Sequence, residues 1–132
     1  MANGTIAFDT LQTSDSVKTN SSKSIDTSYI FNGVAKAWLQ YNQATPAMTG
    51  NFNITDVTDT SAGDFTPNLT NAMSALDYSA TSAGGELNTN ASGRISEVNP
   101  TNTSSYQVTT TNSAGTKADH TGNSNAIFGD LA

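Results

Sequence analysis

The sequence predicts an all-β protein, an antiparallel, jelly-roll-like β-sandwich of about eight short strands. Short groups of alternating apolar residues recur along the chain, as in Tyr106, Val108 and Thr110. Turn-forming residues separate these groups every 8–14 residues or so, a spacing typical of sandwiches and small barrels. Thr, Ser and Asn make up about two-fifths of the 132 residues, and only 12% are charged. Because Thr fits a pleated strand and its hydroxyl suits water, this composition favours strands with solvated faces.

The apolar residues divide the chain into two parts. Residues 10–24 contain only Leu11 and Val17 as large apolar residues, and so cannot bury much surface. Apolar residues become frequent from Ile25 onward. We therefore expect an N-terminal attachment arm over residues 1–24 and a β-sandwich domain over residues 25–132.

Asn32-Gly33 is the strongest turn signal in the chain and predicts a hairpin between residues 26–31 and 34–41. In its second strand, alternation places Trp38 on one face and Tyr41 on the other. This strand is therefore expected to be central, with both faces partly covered.

The later segments carry weaker strand patterns. Pro46 and Gly50 indicate a loop over residues 42–50, and a bulge near Thr55-Asp56 would bring Val57 into phase. Pro67 favours an edge or bulged strand. The other predicted strands cover residues 4–9, 51–58, 65–69, 76–80, 95–98, 106–110 and 125–131.

Charge and composition exclude several classes of function. The net charge is −6 and the five basic residues are scattered, which argues against binding nucleic acid or an anionic membrane surface. The chain has no cysteine, so disulfides and thiolate metal sites are excluded. No apolar run approaches the roughly 20 residues of a membrane span, and the first residues lack a signal-peptide pattern.

No group of residues predicts catalysis. The one histidine, His120, lies in a polar segment without a nucleophile elbow, and the two glutamates, Glu86 and Glu97, are flanked by loops. Asp56, Asp59 and Asp64 could bind calcium, but turn formation is the commoner role of such aspartates. We expect no catalytic residue, no cofactor and no metal.

Seven short motifs follow one another within residues 34–78. These are Lys36-Ala37-Trp38, Tyr41-Asn42, Phe52-Asn53-Ile54, Val57-Thr58-Asp59, Gly63-Asp64-Phe65, Asn71-Ala72-Met73 and Tyr78. This order resembles small tail-fibre-like structural proteins of tailed, marine bacteriophages, and the match covers about a third of the chain. Gln43-Ala44-Thr45-Pro46 and Pro67 depart from the family pattern. The residues expected to form the fold and interface motif are Lys36, Trp38, Tyr41, Phe52, Ile54, Phe65, Met73 and Tyr78.

The resemblance implies a non-enzymatic structural protein located in the virion. It would act as a homotrimeric tail fibre, spike or head appendage and bind other virion proteins of the tail or capsid. A capsid decoration protein is the first alternative, and a carbohydrate-binding module or glycan-active enzyme is the second. A host surface glycan is a further candidate partner. Trp38 would then be either a core or subunit-interface residue, or a platform on which a sugar stacks.

Overall fold

The computed structural model describes residues 10–12, 24–26, 32–86 and 94–132. The chain divides into two compact units, Met1–Val34 and Ala35–Ala132. In the first unit, β1 (Thr10–Gln12) pairs antiparallel with β2 (Ser24–Asp26). The middle of the predicted arm is thus joined to its C-terminal end by a short ladder that the sequence did not indicate. The expected boundary after residue 24 stays a prediction.

The second unit is a β-sandwich, which confirms the predicted class. Two four-stranded antiparallel sheets pack against each other. Sheet I has the order β4-β3-β10-β7, and sheet II the order β5-β6-β9-β8. The strands are β3 (Ala37–Asn42), β4 (Ala47–Phe52), β5 (Ile54–Ser61), β6 (Asp64–Leu69), β7 (Ser79–Gly85), β8 (Ile95–Asn102), β9 (Ser105–Thr111) and β10 (Gly122–Phe128).

The predicted hairpin at Asn32-Gly33 is wrong. Both edges of β3 are occupied, one by β4 and the other by β10, so no edge remains for residues 26–31. Residues 4–9 and 27–31 lie outside the described part of the chain. The hairpin that forms instead joins β3 to β4 across residues 43–46, where the sequence predicted a longer loop. β3 is central, as predicted.

Asn53 is the corner at which the chain passes from sheet I to sheet II. Its φ is +57°, a left-handed conformation that Asn tolerates better than most residues. Its side-chain amide donates to the carbonyl oxygens of Lys36 and Asn71, at 3.1 Å each, and its Oδ1 accepts from the Asn71 backbone N–H at 2.8 Å. Phe52 and Ile54, predicted to share one face of one strand, therefore belong to different sheets.

Sheet II confirms one sequence expectation and excludes one of the two alternatives for Pro67, the edge strand. The register between β5 and β6 shifts between Ile54 and Asp56, which is the predicted bulge. Pro67, in contrast, does not place β6 at an edge, because β6 pairs with both β5 and β9. The ladder to β9 skips Thr66 and Pro67, so the missing proline N–H is accommodated by a gap in the pairing rather than by an edge.

One apolar cluster fills the space between the sheets. Tyr41 of sheet I and Phe65 of sheet II contact each other with ring centroids 5.0 Å apart. Their tilted arrangement is one that aromatic pairs favour. The buried cluster consists of Ala37, Leu39, Tyr41, Ile54, Phe65, Leu69, Met73, Tyr78, Tyr106, Val108 and Ile127.

Two buried tyrosines of this cluster make a matched pair for a stability test. The Tyr78 hydroxyl donates to the Ser105 carbonyl at 2.9 Å and lies 3.1 Å from the Asn102 carbonyl, whereas the Tyr106 hydroxyl has no partner among the described residues. An unpaired buried hydroxyl costs about 1–3 kcal/mol, and a paired one contributes about 1 kcal/mol. We expect Tyr106→Phe to leave the free energy of unfolding unchanged or raise it, and Tyr78→Phe to lower it by about 1 kcal/mol. Urea unfolding measures both; a large loss in Tyr106→Phe would contradict this description of the core.

Candidate binding face

The two sheets differ sharply in charge. The four strands of sheet I contain no Asp, Glu, Lys or Arg. The strands of sheet II carry two aspartates in β5, one aspartate in β6 and one glutamate in β8. On a chain of net charge −6, sheet I therefore presents an uncharged outer surface. We call this surface the neutral face.

The neutral face carries an exposed aromatic pair. Trp38 of β3 lies directly opposite Phe52 of β4, and their exposed fractions are 42% and 53%. A Cβ added at Gly50 would lie 3.2 Å from Cζ3 of Trp38, so the indole ring covers the backbone at Gly50. The glycine lets the ring lie close to β4 while much of the indole stays open to solvent.

A shallow groove lies beside this pair. It has a volume of about 290 Å³ and is lined by β7 and β10 through Thr81, Ser82, Ala83, Ser124, Asn125 and Ala126. Ala126 is the cross-strand neighbour of Trp38, and Ser124 is the cross-strand neighbour of Gln40. Gln40 Nε2 donates to Ser124 Oγ at 3.1 Å, which orients the amide along the groove. Of the lining side chains, Thr81, Ala83, Ser124 and Ala126 face outward, so two hydroxyls and two methyl groups lie on the same surface as the aromatic pair.

The predicted motif residues do not gather at one site. Tyr41, Ile54, Phe65, Met73 and Tyr78 are buried in the core. Trp38 and Phe52 lie on the neutral face, and the backbone carbonyl of Lys36 binds Asn53 near its border. Trp38 is therefore not a core residue of the single chain, which leaves the subunit interface and the sugar platform as its possible roles. Alternation gave the phase of β3 correctly but could not indicate which of its two faces the second sheet covers.

Histidine 120 occupies the polar end of the sandwich interior. The side chain is 1% exposed, and neither ring nitrogen has a hydrogen-bond partner among the described residues. A Cβ at Gly84 would lie 2.8 Å from Nδ1, so the ring packs tightly on β7. Burial lowers the pKa of His120 because it disfavours the charged ring, and the Arg94 guanidinium acts in the same direction. The nearby Glu86 and Asp119 carboxylates and the backbone of Thr111 oppose this shift only in part.

The surroundings of His120 do not form a catalytic triad among the described residues. Asp119 Oδ1 accepts the Gly63 backbone N–H at 2.7 Å instead of orienting the imidazole. No hydroxyl is hydrogen-bonded to the ring, as a serine nucleophile would be. Glu86 forms an ion pair with Arg94, and Glu97 lies on β8.

Two of the three aspartates weighed as calcium ligands have separate partners. Asp56 accepts a hydrogen bond from Asn68 at 2.5 Å. Asp64 pairs with Lys117 and accepts from the Thr109 hydroxyl at 2.7 Å, and the Lys117 hydrogen bond holds the pKa of Asp64 below its usual value. No group of three or more acidic, histidine or cysteine side chains in the described ranges is placed to hold a metal ion.

No family model, curated protein or solved structure matches this chain. The resemblance to phage tail-fibre-like proteins therefore rests on sequence motifs alone, which are densest in residues 34–78. Among the residues that the structure covers, no helix has the length and apolar character needed to cross a bilayer.

Burial of neutral His120 makes stability depend on pH. The unfolded chain binds a proton at His120 near pH 6.5, whereas the folded chain binds it only at lower pH, so stability is full above about pH 6.5 and falls below it. One such group changes the free energy of unfolding by at most about 1.4 kcal/mol per pH unit. We expect urea unfolding of the protein to show this loss between pH 7.5 and 5.5, and His120→Gln to flatten the profile. The same slope in both proteins would mean that the imidazole is solvated and does not control acid stability.

Proposed function

We propose that this chain is a non-enzymatic structural protein of a tailed-bacteriophage virion, a homo-oligomeric fibre, spike or head appendage that displays the sandwich. The N-terminal segment would fasten it to the particle. The observation that carries this proposal is the neutral face, because an uncharged surface with exposed Trp38 and Phe52 is typical of a contact surface. Binding surfaces for small molecules, like the cores of protein interfaces, are poor in charge and rich in aromatic residues.

Binding rather than chemistry is favoured by the placement of the reactive groups. His120 is enclosed and lacks an oriented nucleophile, and the carboxylates of the described strands lie on sheet II, away from the groove. Catalysis requires a base within hydrogen-bond reach of a reacting group, with a third group to orient it. The residues around the groove are instead hydroxyls, amides and aromatic rings, which recognise ligands without reacting with them.

A host surface glycan is the second element of the proposal, and the exposure of Trp38 favours it. Four strands spaced about 4.8 Å apart and roughly 20 Å long give the neutral face an area of about 300–400 Å². That area is well below the 800 Å² or so per partner of a stable protein complex. It suits a small ligand in the groove beside Trp38. A neutral sugar matches the absence of charge, because its C–H face stacks on indole and its hydroxyls pair with Gln40, Ser124 and Thr81.

The Trp38→Ala variant tests both parts of this proposal when it is carried by the phage. About half of the indole is already exposed, so we expect the free energy of unfolding to fall by about 1–3 kcal/mol, less than the 3–5 kcal/mol or so of a buried Trp. The variant should be incorporated into particles at the normal copy number while adsorption to the host falls at least tenfold. Ile95→Ala, which truncates an exposed side chain on sheet II, is the matched control and should leave adsorption unchanged.

Quantitative protein analysis of purified particles supplies the other half of this test. About a dozen copies per particle would support a tail or head appendage, and hundreds of copies would indicate capsid decoration. Absence of the chain from particles would reject the virion role. Normal adsorption of the Trp38→Ala particle would reject the glycan, and an altered oligomeric mass of that variant would place a second copy on the neutral face instead.

A further inference from the structure

Strand β4 is an open sheet edge. It is the terminal strand of sheet I and, among the described strands, pairs along one side only, with β3. Its six residues are exposed except for the half-buried Gly50. Its free side therefore presents unpaired backbone N–H and C=O groups, which can pair with another strand.

Both edges of sheet II carry protection that β4 lacks. β5 has Asp56 and Asp59 and two register shifts, and β8 has Glu97 and Pro100. Charge, proline and bulges are the means by which natural sheets prevent edge-to-edge pairing. β7 is held to β8 across the sheets by a hydrogen bond between the Ser82 and Ser96 hydroxyls. β4 contains no charge and no proline, and a single bulge at Thr49 is its only irregularity.

Exposed apolar side chains on both sides of β4 indicate a partner that lies along its edge. Phe52 is on the outer side, opposite Trp38, and Met48 is on the inner side, opposite the buried Tyr41; Met48 is 38% exposed. A ligand lying flat on the neutral face would reach Phe52 but not Met48. A strand added at the edge would cover both. A groove of about 250 Å³ lies on the inner side, and Met48, Val57 and the carboxylate-bearing Asp56 are among the residues that line it.

We propose that β4 is the site at which a second copy of this chain binds, by antiparallel pairing of the two β4 strands. Charge favours this occupant: each copy carries −6, and pairing through β5 or β8 would place carboxylates on the paired strands themselves, whereas β4 carries none. The carboxylate beside β4, Asp56 in the inner groove, accepts a hydrogen bond from the Asn68 amide. Backbone hydrogen bonds then supply the affinity, as in other cases of strand addition. The two copies form one continuous eight-stranded sheet and leave both neutral faces open.

The register of this pairing follows from the bulge. A two-fold axis between Thr49 and Gly50 places Ala47 of one copy opposite Phe52 of the other, and Met48 opposite Asn51. Each pair then joins residues on the same side of the sheet, because Phe52 and Ala47 face outward and Met48 and Asn51 face inward. Such pairing gives a dimer rather than the trimer that the phage resemblance implies. This pairing proposal concerns contacts between copies of the chain and does not depend on the virion role.

Light scattering on the full chain tests the pairing. We expect a mass twice the 13.7 kDa of one chain at high concentration, falling toward one chain on dilution. Thr49→Glu places like charges about the two-fold axis and should weaken the dimer at least tenfold. Thr60→Glu is the matched control, because Thr60 is an exposed residue at a register shift of the other edge strand, β5. A trimer, a monomer at all concentrations, or equal effects of the two substitutions would overturn the proposal.

A cross-link tests the same geometry without relying on a destabilising charge. The natural chain has no cysteine, so Thr49→Cys introduces a single thiol per copy. The two-fold axis brings the two Cα atoms to within about 7 Å, the range of a disulfide. Mild oxidation of the full chain should give a covalent dimer of Thr49→Cys and leave Thr60→Cys monomeric. Cross-linking of Thr60→Cys alone, or of neither variant, would overturn the proposal.

Discussion

The structure depends on a narrow strip of apolar side chains between two otherwise polar sheets. The chain has few large apolar residues, and the buried ones converge on one cluster that joins Leu39 and Ile127 of sheet I to Phe65 and Val108 of sheet II. At the other end of the interior, Gln43, Thr110, Asn123 and His120 are buried in place of apolar residues. With so little core available, each strand can bury only one face, and the outer surface of each sheet is left for other purposes.

The two outer surfaces are used differently because charge is segregated between the sheets. Carboxylates on β5 and β8 keep the two edge strands of sheet II solvated and protect them from pairing. Sheet I has no such groups, so Trp38 and Phe52 lie on a surface whose strands carry no charged side chain. A single cause, the absence of charge from sheet I, therefore explains both the neutral face and the open edge of β4. The face suits a small neutral ligand, and the edge suits another strand, so the two can act together.

The sequence predicted the elements whose signals are local. Alternation identified β9 and the inward direction of Tyr106 and Val108, and the out-of-phase Val57 located the bulge in β5. The pairing of β3 with β10 could not be predicted, because it joins Trp38 to Ala126, nearly ninety positions apart, and no local pattern specifies such a partner. Asn32-Gly33 was a misleading signal for the same reason: a good turn sequence cannot form a hairpin when both edges of the following strand are occupied.

The candidate site was the least predictable part of the protein. Asn53 sends Phe52 and Ile54 to different sheets, and a positive φ at an asparagine leaves no pattern in the surrounding sequence. The exposure of Trp38 depends on which side of β3 the second sheet covers, which is decided by the whole arrangement of strands and not by β3 itself. The lack of charge in sheet I could have been noticed only after its four strands had been assigned.

The central claim is that β4, the open edge of the uncharged sheet I, is where one copy of this protein pairs with another. Hydrogen exchange of the full chain, followed by mass spectrometry at low and high protein concentration, tests it most directly. The claim requires the amides of residues 47–52 to exchange more slowly at high concentration, while those of β5 and β8 exchange at the same rate in both conditions. Slower exchange at β5 or β8, or no change at β4, would contradict it.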